Sequence, residues 1–265
     1  MERYYNHKNG RMYYSDRGQG LPVVLIHGYL ENSEVWTGFA DRLALKYRVI
    51  AVDLPGHGRS DVFGDIHGMD FMAGLIKELL READTGPVFM TGHSMGGYVT
   101  LAFADLFPDL LKGYCLFHSH PFADSPEVYE KRKMEIRLVM SGNKDRMFPD
   151  SISRLFANSN LEKYAGERER LKKIAAAIPE RGIIAALRGM MERPSRVEVM
   201  EDISIPCLWL LGGMDNHIDS AEATAKVHLS DRIRIAILEN SGHMGFIEEP
   251  ELSFTLLDSF ISSIR

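Results

Sequence analysis

The chain has 265 residues, 45% of them hydrophobic and 26% charged, with 31 Lys and Arg against 37 Asp and Glu for a net charge of -6. That length allows one large α/β domain or two small ones, each with a substantial core, and the acidic balance argues against a dedicated nucleic-acid surface. The N-terminus lacks the apolar centre and cleavage site of a secretory signal, and no window approaches 18 uncharged apolar residues. A soluble, cytoplasmic protein with no membrane span is expected.

Apolar runs of strand length occur at 22–26 (PVVLI), 48–52 (RVIAV), 87–91 (PVFMT), 112–117 (KGYCLF), 205–211 (IPCLWLL) and 232–238 (RIRIAIL). They are near-continuous rather than alternating, as parallel strands covered on both faces require. Between 69 and 83, Met69, Met72, Leu75, Ile76, Leu79, Leu80 and Ala83 recur at steps of three and four, and Gly86 with Pro87 ends the segment, so a helix is predicted there. Strands alternating with helices indicate an α/β domain with a mostly parallel sheet.

The alternation breaks after residue 118. From 119 to 204 no strand is predicted, but helices are expected near 126–141, 149–158, 167–178 and 180–192. Asp124, with Glu127 three residues later and Pro126 in the first turn, marks the start of the first; Gly142 and Asn143 mark its end. Strands resume at 205. The pattern is a helical insertion in one sheet, so residues 1–118 and 205–265 are read as the core and 119–204 as a cap. The insertion carries 16 Lys and Arg against 14 Asp and Glu, a charge of +2 that leaves -8 elsewhere. Solvated helix faces account for this, with attraction of anionic substrates as the alternative. Cys115 and Cys207 sit inside apolar strand-like runs and read as reduced core thiols, a disulfide being the alternative.

The chemistry concentrates at 91–97, TGHSMGG, where a strand pattern gives way to a helix pattern. Three glycines so close together are destabilising unless the backbone needs them. Gly92-His93-Ser94-Met95-Gly96 fits the G-x-S-x-G elbow, a sharp strand-to-helix turn that lifts a serine hydroxyl clear of the sheet, with helix NH groups aimed at the site. A serine nucleophile also needs a base and a group to orient that base. Asp215 follows the strand at 205–211 and His243 follows the last strand, both at carboxyl ends where open α/β sheets form their sites. Asp219 and Asp124 are the rival acids, the former better read as a helix cap. The HSH triplet at His118 to His120 lacks an accompanying Cys or carboxylate cluster, so no metal is expected. GHG at 56–58 lacks the further glycine or lysine of a nucleotide loop.

HGY at 27–29, DLPGHGRS at 53–60, GHSMGG at 92–97, LLGGMD at 210–215 and SGHMGFIEEP at 241–250 occur in that order. On these blocks the chain resembles the α/β-hydrolase fold family over nearly its whole length. The resemblance implies an eight-stranded, mostly parallel sheet flanked by helices, with two further strands near 3–6 and 11–16 and the insertion as an all-helical cap. It implies a Ser94, His243, Asp215 triad and an oxyanion hole of the Tyr29 and Met95 amides. His27, His118 and Ser119 are expected to line the pocket. The activity implied is a cofactor-free serine hydrolase acting on a small-molecule ester through an acyl-enzyme. Carbon-carbon bond hydrolase, thioesterase, perhydrolase, lyase and non-catalytic receptor are the alternatives, since fold does not select among them.

Overall fold

The computed structural model describes residues 1–202 and 204–264. The amino-terminal half contains strands β1 (Glu2–His7), β2 (Gly10–Arg17), β3 (Pro22–Ile26), β4 (Arg48–Val52), β5 (Val88–His93) and β6 (Leu111–Phe117), with helices α1 (Thr37–Leu43), α2 (Met69–Glu82) and α3 (Met95–Leu106) between them. Strands β7 (Cys207–Gly212) and β8 (Ile233–Leu238) complete one sheet of order β1-β2-β4-β3-β5-β6-β7-β8. The pairs β1–β2 and β2–β4 are antiparallel; every pair from β4–β3 to β7–β8 is parallel.

The sequence accounts for the layers. Val23, Val24, Leu25 and Ile26 of β3 and Val88, Phe89 and Met90 of β5 are all fully buried, so both faces of the central strands are covered. Each such side chain contributes about 1.5–3 kcal/mol relative to exposure. Helix α2 buries one stripe, Met69, Met72, Ala73, Leu75, Ile76, Leu79 and Leu80, and packs on α3. Helix α3 is buried on nearly every side from Met95 to Ala104, as expected of a helix apolar all round and enclosed in the core. Beneath the carboxyl ends of the strands, Trp36 packs on Phe246 with centroids 4.2 Å apart and the rings tilted by 33°, and Phe39 and Phe117 pack beside them.

Between β6 and β7 lie α4 (Pro126–Met140), α5 (Phe148–Ser153), α6 (Ala165–Ala177), α7 (Glu180–Glu192) and α8 (Val197–Asp202), with no strand among the described residues. Helix α4 packs on α7 and α5 on α6. The start of α4 differs from the sequence expectation: Ser125 is the cap, its hydroxyl accepting the Val128 amide at 3.3 Å. Asp124 is drawn instead into an ion pair with Arg132 and Arg193. After β7 come α9 (Ser220–Ala225) and, after β8, α10 (Gly245–Glu248) and α11 (Pro250–Ser263). Cys115 and Cys207 are buried and not disulfide-bonded, and burial pushes the Cys207 thiol up to about 12. No helix among the described residues is long and apolar enough to cross a membrane.

Candidate active site

Ser94 joins β5 to α3 at φ 48° and ψ -115°, a region that costs a non-glycine residue about 1–3 kcal/mol and persists only where the surroundings impose it. Here they do. The Ser94 amide donates to the Phe117 carbonyl at 3.0 Å, while the Ser94 carbonyl accepts the Gly97 amide at 2.9 Å and the Ser119 hydroxyl at 2.8 Å. The turn is tight enough that a Cβ on Gly96 would lie 2.4 Å from the Ile26 carbonyl oxygen and one on Gly92 2.2 Å from that of Gly96. Among the described residues the amides of Tyr29, in the loop after β3, and Met95, at the start of α3, donate to no protein acceptor. Both NH groups remain available to an oxyanion.

Asp215 lies in the loop after β7 with its side chain fully buried, and its Oδ2 accepts the His243 Nδ1–H at 2.7 Å. Its Oδ1 accepts the amides of His217 at 2.7 Å and Ile218 at 3.2 Å. Burial opposes the charged carboxyl, but His243 and His118 outweigh it and hold Asp215 well below the usual carboxylate range. A carboxylate only accepts, so the His243 proton sits on Nδ1 and the Nε2 lone pair is left for a reacting hydroxyl. No hydrogen bond joins Ser94 Oγ to His243 among the described residues; proton transfer needs the closer approach that substrate binding commonly brings.

The three residues expected to line the pocket lie beneath the site instead, each 0% exposed. His27 Nε2 accepts the Leu54 amide at 2.9 Å and Nδ1 faces the Gly28 carbonyl at 2.7 Å, so the ring ties two loops together. Ser119 braces the elbow, and its carbonyl accepts the Trp209 indole NH at 2.8 Å. His118 Nε2 accepts the Gly245 amide at 3.0 Å, which places its proton on Nδ1, 3.6 Å from Asp215 Oδ2. The rival acids have other roles: Asp219 caps α9 through the Glu222 amide at 2.9 Å, and Asp124 holds two arginines.

His118, Asp215 and His243 also bring ligand atoms within 4.8 Å of one another, a grouping that could hold a metal ion. The distances fit hydrogen bonding better, because one carboxylate oxygen already takes the His243 proton and His118 Nε2 is committed to Gly245. Glu248 is a residue that sequence reasoning missed. Its Oε1 accepts the Ala157 amide and Asn160 Nδ2, both at 2.9 Å, and its Oε2 accepts the Gly242 amide at 2.8 Å. The His243 amide donates to the Leu155 carbonyl at 2.7 Å, so the His243 loop is fastened to the helical segment between β6 and β7. The acidic pair in FIEEP was the only signal in the sequence.

Comparison with known proteins places the chain in a family. The model of the alpha/beta hydrolase family matches residues 23–254. The chain is 29% identical over 246 residues to the (E)-2-((N-methylformamido)methylene)succinate hydrolase of Acinetobacter baylyi, covering 92% of this chain and 91% of that protein. It is 26% identical over 256 residues to the pimeloyl-[acyl-carrier protein] methyl ester esterase of Aeromonas hydrophila, covering 92% and 96%. A malate-bound structure of a thermophilic esterase from Thermogutta terrifontis superposes with a TM-score of 0.93 at 28% identity, covering 100% of this chain and 99% of that one.

Proposed function

This chain belongs to the alpha/beta hydrolase family and is an enzyme of hydrolase type, and we propose that it cleaves a carboxylic ester through an acyl-enzyme on Ser94. The observation that carries the proposal is the strained Ser94 turn beside a histidine whose Nδ1 proton is fixed on a buried carboxylate. His243 Nε2 takes the hydroxyl proton as Ser94 Oγ attacks the ester carbonyl, and Asp215 stabilises the resulting imidazolium. The Tyr29 and Met95 amides receive the oxyanion. When the tetrahedral intermediate collapses, the carbon–oxygen bond to the alcohol breaks and His243 returns the proton to the leaving alkoxide. Water, deprotonated by His243, then attacks the acyl-enzyme, and the acid leaves as Ser94 recovers its proton.

Segment 119–204 serves in this reading as a cap over the site. Its contacts at Leu155, Ala157 and Asn160 with the His243 loop support that role. Esterases among the relatives support ester chemistry, and the succinate-derivative hydrolase keeps the other hydrolytic reactions of the same triad as alternatives. Fluorophosphonate labelling tests the reading. Wild-type protein should be modified on the peptide containing Ser94, and Ser94→Ala and His243→Ala should not. With p-nitrophenyl esters, Ser94→Ala should lose at least about 10³-fold in kcat while still folding. A folded wild type that neither labels nor hydrolyses any ester, thioester or vinylogous diketone would overturn the proposal.

A further inference from the structure

His93 is the last residue of β5, directly before Ser94, and its ring is 0% exposed. Its Nε2 lies 2.8 Å from the carbonyl oxygen of His243, an atom that can only accept, so Nε2 carries a proton. Its Nδ1 lies 3.0 Å from Oε2 of Glu31, a carboxylate only 1% exposed that also accepts the Gly28 amide at 2.7 Å. The backbone makes room for this pair: a Cβ on Gly28 would lie 2.9 Å from His93 Nδ1. The ring is wedged edge-on between Trp36 and Phe246, at centroid distances of 6.2 and 5.1 Å.

We propose that His93 and Glu31 form a buried imidazolium–carboxylate pair that holds three reacting segments in register: the oxyanion loop through Gly28, the elbow through the bond to Ser94, and the base loop through the His243 carbonyl. The inference rests on the roles given to Ser94 and His243 above. Both residues act as positioning residues, since neither reaches the reacting atoms. Burial opposes charge on each, yet the mutual attraction outweighs it, raising His93 and lowering Glu31. The other titratable groups facing His93 are His27, His118, His243 and Asp215, and of these Asp215 adds to the attraction. A buried pair of this kind is poor at adding net stability, but breaking it is costly, which suits a device that fixes geometry.

Nitrogen-15 NMR of wild-type protein labelled at histidine, with His93 assigned through His93→Gln, reads the pair directly. Both ring nitrogens should be protonated from about pH 6 to 8, and a neutral ring would overturn the proposal. Glu31→Gln keeps the side-chain size and an acceptor for Gly28 but removes the charge. It should slow fluorophosphonate labelling of Ser94 and lower kcat by about 10- to 100-fold, with KM within about threefold. Glu31→Asp, which keeps the charge, should recover most of that loss. Wild-type rates in Glu31→Gln, or equal loss in both variants, would overturn the positioning role. If the wild type never labels at Ser94, the esterase reading and the positioning role fall together, while the His93 spectrum still decides the ion pair.

Discussion

At the scale of single residues, two side chains bear most of the orientation of His243. Asp215 fixes its ring, and Asp215→Asn should lower kcat by about 10³- to 10⁴-fold because the imidazole loses both its tautomer and its counter-charge. The same residue has a stability signature. Its folded pKa is depressed, so its contribution is fully present above the ordinary carboxylate value of about 3.9 and is lost as pH falls through the folded value. Urea denaturation below about pH 4 should therefore be less pH-dependent in Asp215→Asn than in wild type. Glu248 fixes the loop rather than the ring. Glu248→Ala would strand the buried amides of Ala157 and Gly242, each at about 1–3 kcal/mol, and a thermal melt should show the loss together with slower labelling of Ser94.

Among the elements, α4 carries a buried charge cluster. Arg132 uses Nε and Nη2 on Asp124, at 2.7 and 3.3 Å, and Arg193 adds Nη1 at 2.6 Å, so one carboxylate faces two guanidinium groups. Burial raises the Tyr29 phenol; of the charges acting on it Glu135 adds to the rise and Arg132 opposes it, so charges of both signs lie toward the loop after β3. Attraction of anionic substrates by 119–204 predicts that mono-p-nitrophenyl esters of short dicarboxylic acids are hydrolysed with a KM about tenfold below that of neutral esters of equal length, and that Arg132→Gln erases the difference without changing KM for the neutral ester. Equal KM values in wild type would assign the charge to solvated helix faces. The central strands were legible in the sequence as short unbroken apolar runs, and α2 as a stripe repeating at steps of three and four, whereas β1 and β2 were expected only from the family resemblance. Helix α4 was legible in position but not in its cap, because the choice between Asp124 and Ser125 depends on where Arg193, 69 residues away in the chain, lies.

For the molecule as a whole, the buried histidines set the response to acid. Burial lowers His57 to about 3 and His67 and His118 to about 4, and all three are 1% exposed or less. Unfolding lets each take a proton near pH 6.5, so stability should fall as pH drops from about 6.5 toward 4, by up to about 1.4 kcal/mol per pH unit for each group. His93 has the opposite sign, contributing below its unfolded value and losing that contribution as pH rises through its raised folded value. His27, His120 and His217 are lowered by burial as well, so the lowered histidines outweigh His93, and denaturation midpoints measured at pH 7, 6 and 5 should decline in that order. The sequence by itself determined the sheet, the family resemblance and the elbow at Ser94, because periodicity and local turn geometry are written within a few residues. Only the tertiary structure decided that His27, His118 and Ser119 lie under the site and that Glu31 and Glu248 hold it. Ser119 meets Ser94 25 residues away, Glu31 meets His93 62 away, Glu248 meets Ala157 91 away and His118 meets Gly245 127 away, and no local pattern records those meetings.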